Sequence, residues 1–151
     1  MILLTCLILD RVKRQEKFSV WPLHLTLVPW FEIRGPNLST FLIAIQRLAN
    51  SSPKPTLTTM GSGKLGPKKV EVTIIKPTSL LINLHQDLLS IVLENNAKLI
   101  SKNYVEENFK PHVTKRGERG PAQDRTVCRK LYLVAKCEDG ERQVVEVVNF
   151  K

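Results

Sequence analysis

The sequence predicts one α+β domain, residues 1–151, whose strands pair in antiparallel fashion. About seven strand-like runs and two amphipathic helical stretches occur, without the strict alternation of strand and helix that parallel sheets need. The last two strand-like runs flank Asp139-Gly140, a dipeptide typical of tight hairpins. A chain of 151 residues is long enough to bury a real core.

The chain begins with an apolar run, Met1 to about Asp10, which reads as a buried strand. It is short for a membrane span, and basic residues follow it where a secretory signal would have them in front. We therefore expect the first strand of a cytoplasmic protein. The charged run from Asp10 to Lys17 is expected to be a solvated loop or a short helix.

A second strand is predicted over Trp21–Trp30, followed by a turn at Gly35-Pro36-Asn37. Asn37 is a residue type that caps helices, so we expect a helix from there to about Asn50. Its apolar residues recur at helical spacing: Leu38, Phe41, Leu42, Ile45 and Leu48.

The segments Pro55–Met60 and Lys69–Lys76 are predicted to be strands joined by a glycine-rich loop. That loop, Gly61–Gly66, matches G-x-G-x-x-G, but Pro67 and a β-branched run follow it where a nucleotide site needs a helix. A hairpin loop is therefore favoured. Its lysines are either solvated or in contact with a nucleic-acid backbone: Lys64, Lys68 and Lys69.

A long helix is predicted from about Leu80 to Lys102, with Thr78 or Ser79 as its cap. His85 sits beside the apolar stripe and has no partner motif, so we expect it at the boundary of the core. The stripe itself comprises Leu81, Leu84, Leu88, Val92 and Leu99.

The remaining chain contains a strand over Phe109–Arg116 and a polar loop, Gly117–Arg125, with glycine and proline. The two closing strands are expected at Thr126–Lys136 and Gln143–Phe150.

Charge and cysteine usage narrow the partners and the compartment. The net charge of +9 favours anionic partners, although it does not separate RNA from nucleotides or membranes, and a merely soluble basic surface would look the same. The three cysteines lie in apolar runs without a CxxC pair, which predicts buried free thiols in a reducing compartment.

Two short segments carry the same pattern: His24-Leu-Thr26 and His112-Val-Thr114, with the histidines 88 positions apart. In a strand, residues i and i+2 share a face, so each histidine points the same way as its threonine. The aliphatic residue between them points to the opposite face, where a core is expected.

These paired tripeptides resemble the His-x-Thr/Ser-x motifs of the 2H phosphoesterase superfamily, and most closely its LigT-type 2′-5′ RNA ligase branch, which comprises RNA 2′,3′-cyclic phosphodiesterases. The first motif fits in full, whereas Lys115 stands where the second motif usually has an aliphatic residue. The element order agrees over nearly the whole chain. The resemblance implies two lobes related by a pseudo-twofold, with antiparallel sheets flanking a central cleft, helices outside, and one histidine strand from each lobe.

The resemblance also implies a reaction, the opening of a 2′,3′-cyclic phosphate to a 2′-phosphate. It makes His24 the proton donor to the leaving oxygen and His112 the base that activates water, roles that the sequence itself does not assign. Two imidazoles with pKa values near 6.5 suit paired proton transfers. Thr26 and Thr114 are expected to donate hydrogen bonds to phosphate, and so is Arg116, whose parity follows His112.

Weaker site candidates are Arg119 and Arg125 as phosphate contacts, and Trp30, which either stacks a base at the cleft edge or caps the core. A zinc site would need a third ligand, which His85 is poorly placed to give, and no HExxH or G-x-S-x-G motif occurs. We therefore expect a monomer without metal or cofactor that acts on RNA or a nucleotide with a cyclic phosphate, and no membrane partner.

Two alternatives stay open at this point. The same residues could act on a 2′-5′ linkage or on a nucleotide-derived cyclic phosphate. Because Lys115 breaks the second motif, the chain could also be a binding module that keeps the cleft without turnover.

Overall fold

The computed structural model describes the whole chain, residues 1–151. It contains two α-helices, α1 (Gly35–Ser51) and α2 (Ser79–Glu94), and one 3-10 turn at Glu106–Asn108. The strands are β1 (Ile2–Ile8), β2 (Lys17–Phe18), β3 (His24–Glu32), β4 (Thr56–Leu65), β5 (Val70–Ile75), β6 (Lys98–Leu99), β7 (His112–Thr114), β8 (Arg125–Val127), β9 (Lys130–Lys136) and β10 (Arg142–Asn149).

The strands form one sheet in the order β2-β10-β9-β1-β3-β7-β5-β4-β8, with β6 paired to β3. Every pairing is antiparallel, which confirms the predicted α+β class. The large half of the sheet comprises β1, β2, β3, β6, β9 and β10, and the small half comprises β4, β5, β7 and β8. The halves join between β3 and β7, where Leu25 pairs with Val113.

Helices cover one face of this sheet, and the main core lies between them. Helix α1 buries Phe41, Ile45 and Ala49, and the Phe41 ring meets Phe31 of β3 edge-on at 5.5 Å. Removing a buried phenylalanine of this kind costs about 3–5 kcal/mol. A smaller apolar cluster lies on the opposite face of the large half: Leu4, Cys6, Ile8, Tyr132, Val134 and Val144.

The two helix starts differ from each other. The Thr78 hydroxyl accepts a hydrogen bond from the Leu81 amide at 3.3 Å, which confirms Thr78 as a cap. The Asn37 cap is wrong, because α1 already begins at Gly35 with Arg34 as its cap residue. Pro36 fits the first helical turn, where a missing N–H costs nothing, so Asn37 lies inside the helix.

Helix α2 ends at Glu94, well before the predicted Lys102. Asn96 adopts a left-handed conformation (φ 58°), and the amides of Asn96 and Ala97 bond back to Leu93 and Val92. This pattern is a Schellman motif, which closes a helix and turns the chain away. Leu99, predicted in the helical stripe, instead pairs with Phe31 from β6.

The hairpin of β4 and β5 is confirmed, but its loop is shorter than predicted. Strand β4 continues through most of the glycine-rich segment to Leu65, and only residues 66–69 form the turn. Gly61 (φ 100°) lies at a bulge between Thr59 and Ser62, while Gly66 (φ 75°) starts the turn. No helix follows, so the nucleotide-loop alternative does not apply.

The predicted strand Thr126–Lys136 is divided at Cys128 and Arg129. Its first part, β8, pairs with β4 in the small half, and its second part, β9, pairs with β1 and β10 in the large half. The turn at Asp139-Gly140 is confirmed, with Gly140 at φ 86°.

The cysteines are all free. Cys6 and Cys128 are buried as predicted, and burial raises the pKa of the Cys128 thiol to about 12. Cys137 is only half-buried. Neither helix is both long and apolar enough to cross a bilayer.

Candidate active site

The two predicted histidine strands lie side by side and build one cleft of about 410 Å³. Leu25 and Val113 pair across the junction and are fully buried on the helix side. The flanking residues therefore project to the opposite face. Six of the predicted site residues line it: His24, Thr26, Trp30, His112, Thr114 and Arg116.

The antiparallel register places the histidine of each motif opposite the threonine of the other. Because Leu25 pairs with Val113, His24 lies opposite Thr114 and His112 lies opposite Thr26. The two histidines are thus a diagonal cross-strand pair, which places their backbones roughly 7–8 Å apart. This twofold arrangement gives each imidazole a threonine from the partner strand.

Both imidazoles are anchored in the same way. The Nδ1 atom of His24 lies 2.9 Å from the Pro22 carbonyl oxygen, and that of His112 lies 2.6 Å from the Lys110 carbonyl oxygen. A carbonyl oxygen only accepts, so each Nδ1 carries a proton and donates it. This leaves Nε2 of each ring as the atom free for proton transfer in the cleft.

The environment of His24 favours the neutral ring. Burial lowers its pKa to about 4, and the positive charges of Arg116 and His112 act in the same direction, while the Pro22 carbonyl opposes them. His24 is therefore uncharged near neutral pH in the empty cleft.

Trp21 belongs to the site although sequence reasoning gave it no role. Its indole stacks on the His24 imidazole, with centroids 4.2 Å apart and planes at 28°, and it lies 6.1 Å from the Trp30 ring. The predicted strand began at Trp21, where alternation would put the indole on the core side with Leu23, but β3 begins only at His24. The only available signal was an aromatic residue three positions before a motif histidine.

The regular alternation of side chains along β3 does not explain why Trp30 faces the cleft. Two irregularities interrupt the pairing of β1 with β3, one on each side of the Thr5–Val28 pair. The Thr5 hydroxyl accepts a hydrogen bond from the Val28 amide at 3.1 Å, and Val28 turns into the helix-side core. Simple alternation would put Val28 on the cleft face beside Thr26, whereas Trp30 lies on the cleft face because the second bulge restores the alternation.

Arg116 joins the two strands at the cleft. Its Nε donates to the Trp21 carbonyl oxygen at 3.1 Å, across 95 positions of sequence. Partial burial lowers its pKa from the ordinary arginine value, but far too little to remove the charge. Its terminal nitrogens make no hydrogen bond within the protein, so they are free to meet an anion.

The other two arginine candidates lie elsewhere. Arg119 forms a two-pronged ion pair with Asp10, at 2.8 and 2.9 Å, and this contact lowers the pKa of Asp10. Asp10 also accepts from the Leu23 amide at 2.7 Å, so the pair fastens the 117–125 loop to the start of β3. Arg125 is exposed on β8, paired with Thr58.

Lys115 points away from the cleft. Its ammonium donates to the Ser62 hydroxyl at 2.8 Å, and its amide bonds to the Glu71 carbonyl at 3.0 Å. Position 115 lies at the end of β7, where no core covers it. The departure from the motif therefore puts no extra charge among the cleft residues.

His85 is fully buried, so its placement at the core boundary is wrong. Its Nδ1 donates to the Leu27 carbonyl at 2.6 Å, its Nε2 accepts from the Glu106 amide at 2.9 Å, and its ring stacks on Phe109 at 4.2 Å. Burial lowers its pKa, which favours the neutral ring that these two bonds require. His85 thus ties the 101–110 segment to β3.

That segment supplies a wall of the cleft which the sequence did not reveal. Tyr104 meets the His112 ring edge-on at 5.5 Å, and Phe109 and Lys110 also line the cavity. The segment falls outside the two motifs and begins inside the helix predicted to Lys102. The fold brings together no group of three or more His, Cys, Asp or Glu side chains, and the absence of a metal stays a prediction.

An antiparallel α+β fold with two histidine-threonine strands meeting in one cleft defines a protein of the 2H phosphoesterase type. The family model of the 2′-5′ RNA ligase superfamily matches residues 8–139. The chain therefore belongs to the 2′-5′ RNA ligase superfamily. No curated protein matches it.

Solved structures share the fold over nearly the whole chain. TT0787 of Thermus thermophilus is 21% identical, covers 99% of this chain and 98% of its own, and gives a TM-score of 0.65. E. coli LigT in its apo form is 16% identical, covers 99% and 97%, and gives 0.68. LigT complexed with 3′-AMP is 16% identical, covers 99% and 96%, and gives 0.66.

Proposed function

We propose that this protein is a metal-independent phosphodiesterase that opens 2′,3′-cyclic phosphates at RNA ends to leave 2′-phosphates. The observation that carries the proposal is the pair of imidazoles, each anchored through Nδ1, in one cleft. Such a cleft supplies one proton acceptor and one proton donor on opposite sides of a phosphorus atom.

The reaction balances with these two rings. Nε2 of His112 takes a proton from water as the water oxygen bonds to phosphorus. The bond from phosphorus to the ribose 3′-oxygen breaks, and Nε2 of His24 delivers its proton to that oxygen. The 2′-oxygen keeps the phosphate. Thr26, Thr114 and the free nitrogens of Arg116 donate to the phosphate oxygens as charge develops.

His24 must acquire its proton together with the substrate. In the empty cleft its pKa of about 4 keeps it neutral. A phosphate anion bound beside the ring favours the imidazolium and so acts against the burial that lowers this pKa. The anion therefore creates the acid that its own cleavage needs.

The test uses an oligoribonucleotide that ends in a 2′,3′-cyclic phosphate, incubated with EDTA. We expect turnover by the native chain and a loss of about 10²–10⁴-fold for either His24→Ala or His112→Ala, because each removes one proton transfer. Lys136→Gln, exposed on β9 and outside the cleft, is the control and should retain full rate. Absent turnover, or equal turnover by the histidine variants, would falsify the proposal.

A second candidate reaction is cleavage or joining of a 2′-5′ linkage, which the description of the matched superfamily favours. The same two proton transfers would serve it. A panel with a 2′-5′-linked dinucleotide, a cyclic mononucleotide and the cyclic-phosphate oligonucleotide separates the candidates by their kcat/KM values.

A further inference from the structure

The catalytic cleft does not end at His112. A second groove of about 270 Å³ continues from it, and the two share Asn103, Tyr104 and Lys110 as lining residues. We call it the lysine groove; its lining residues are Pro67, Lys102, Asn103, Tyr104, Asn108 and Lys110. It contains one hydrophobic residue, so it suits a polar, solvated ligand rather than a base pocket.

The tip of the β4–β5 hairpin forms the far wall of this groove. Pro67 of the turn lines it, and a Cβ built on the neighbouring Gly66 would lie 3.8 Å from the Tyr104 hydroxyl. Because Tyr104 also contacts His112, one tyrosine separates the catalytic ring from the hairpin turn. The turn then brings two more exposed lysines, Lys68 and Lys69, to the same edge.

The charges along this path are unpaired. Ion pairs occur only at Arg14–Glu146, Lys17–Asp139 and Arg119–Asp10, all away from the groove. Acidic residues are near but do not line it: Glu106 and Glu107 lie in the 3-10 turn, and Glu71 lies across from Lys64 in the hairpin register. The groove therefore keeps the cationic character of its lysines.

We propose that the lysine groove and the hairpin tip bind the phosphate backbone of the RNA that precedes the cyclic phosphate, so that the preferred substrate is an oligonucleotide and not a mononucleotide. The inference rests on the proposed function for the cleft. Single-stranded backbones are bound in this way by grooves of positive charge that track the phosphates.

The test compares two substrates and two triple variants. The groove variant is Lys68→Gln, Lys69→Asn and Lys102→Gln, in which asparagine suits the left-handed conformation at position 69 (φ 50°). The control variant, Lys13→Gln, Lys130→Gln and Lys136→Gln, removes the same charge from exposed sites elsewhere. The substrates are a cyclic-phosphate oligoribonucleotide and adenosine 2′,3′-cyclic phosphate.

We expect the native chain to have a lower KM for the oligonucleotide, and the groove variant to lose this preference while its turnover of the mononucleotide is unchanged. The slope of log KM against log salt for the oligonucleotide should fall by about 2, because each phosphate contact on a single strand contributes about 0.7. Equal losses in the groove and control variants would overturn the proposal, as would a native enzyme without substrate preference.

A binding measurement keeps this inference separate from the catalytic proposal. If neither substrate is turned over, fluorescence anisotropy with a labelled oligoribonucleotide still measures how tightly the groove binds RNA. Weaker binding by the groove variant than by the control variant supports RNA binding at the lysine groove and hairpin tip, even though the proposed reaction has failed. Equal binding by the two variants rejects RNA binding at the lysine groove, whether or not either substrate is turned over.

Discussion

At the scale of single residues, two carbonyl oxygens set the chemistry of the cleft. Those of Pro22 and Lys110 hold the Nδ1 protons of the two histidines, so the backbone just before each motif fixes the tautomer. Both carbonyls belong to the residue two positions before the histidine. This repeated local geometry lets two distant segments present the same atom, Nε2.

Arg116 offers a direct residue-scale prediction. Arg116→Lys keeps a charge but loses the Nε bond to the Trp21 carbonyl and the planar fork that suits phosphate oxygens. We expect kcat/KM for the cyclic-phosphate oligonucleotide to fall by about 10–100-fold, the equivalent of one charge-assisted hydrogen bond.

The matched control is Arg125→Lys, since Arg125 is exposed on β8 and lies outside the cleft. An unchanged rate in Arg116→Lys would show that Arg116 contributes only charge, and comparable losses in both variants would show that its position in the cleft is not the cause.

At the scale of elements, the junction of α2, β3 and the 101–110 segment depends on one buried side chain. His85 bonds to Leu27 in β3 and to Glu106 in the 3-10 turn, where Glu106 has a left-handed backbone (φ 54°). These contacts hold the segment that carries Tyr104, Phe109 and Lys110 into the cleft.

His85→Leu should therefore reduce both stability and activity without removing any group that touches substrate. The buried Leu27 carbonyl and the part-buried Glu106 amide lose their partners, and at about 1–3 kcal/mol for the buried group we expect a loss of about 2–4 kcal/mol in the free energy of unfolding. Urea denaturation measures this loss, and hydrogen exchange at the Glu106 amide should become faster.

His85→Gln supplies the comparison, because its amide has both a donor and an acceptor and should recover part of the stability. Unchanged exchange at Glu106 in His85→Leu would contradict the positioning role.

The elements also show what the sequence could and could not predict. The histidine-threonine faces follow from the two-residue period of strands, which is a local property of the chain. The end of α2 does not, because an apolar periodicity continues past Asn96 to Leu99, and only the left-handed turn there sends Leu99 into β6. The turn of Val28 into the core is not local either, because it accompanies two irregularities in the pairing with β1 and a bond to Thr5 of that strand.

The site residues divide in the same way, into those that local sequence predicts and those that tertiary contacts bring to the cleft. His24, Thr26, His112 and Thr114 were predictable because the motifs contain them, and Arg116 was predictable because its strand parity follows His112. Trp21 and Tyr104 were not, since each reaches the cleft from an irregular segment whose course is set by tertiary contacts. Arg119 had the right chemistry for phosphate, but Asp10 takes its guanidinium.

At the scale of the whole molecule, the buried histidines link stability to pH. The pKa values of His24 and His85 are both lowered by burial, so the unfolded chain binds protons more readily than the folded one. The free energy of unfolding should then fall as pH decreases from about 6.5 toward 4. We expect His24 alone to contribute about 1–2 kcal/mol of loss by pH 5.

Urea denaturation at pH 7.5 and pH 5 checks this dependence, with His24→Asn as the comparison. Asparagine does not titrate, so the variant should lose less stability between the two pH values than the native chain does. An identical pH dependence in both proteins would place the acid sensitivity elsewhere.

The sheet order has a further consequence for how the protein is made. Strand β1 (Ile2–Ile8) lies between β3 and β9, and β9 comes from residues 130–136, more than 120 positions later in the sequence. While the chain emerges from a ribosome, one apolar edge of β1 therefore stays unpaired until residues 130–136 have been synthesised. Both motifs are present in the nascent chain before the large half of the sheet can close, so the cleft is completed only once β9 has been made.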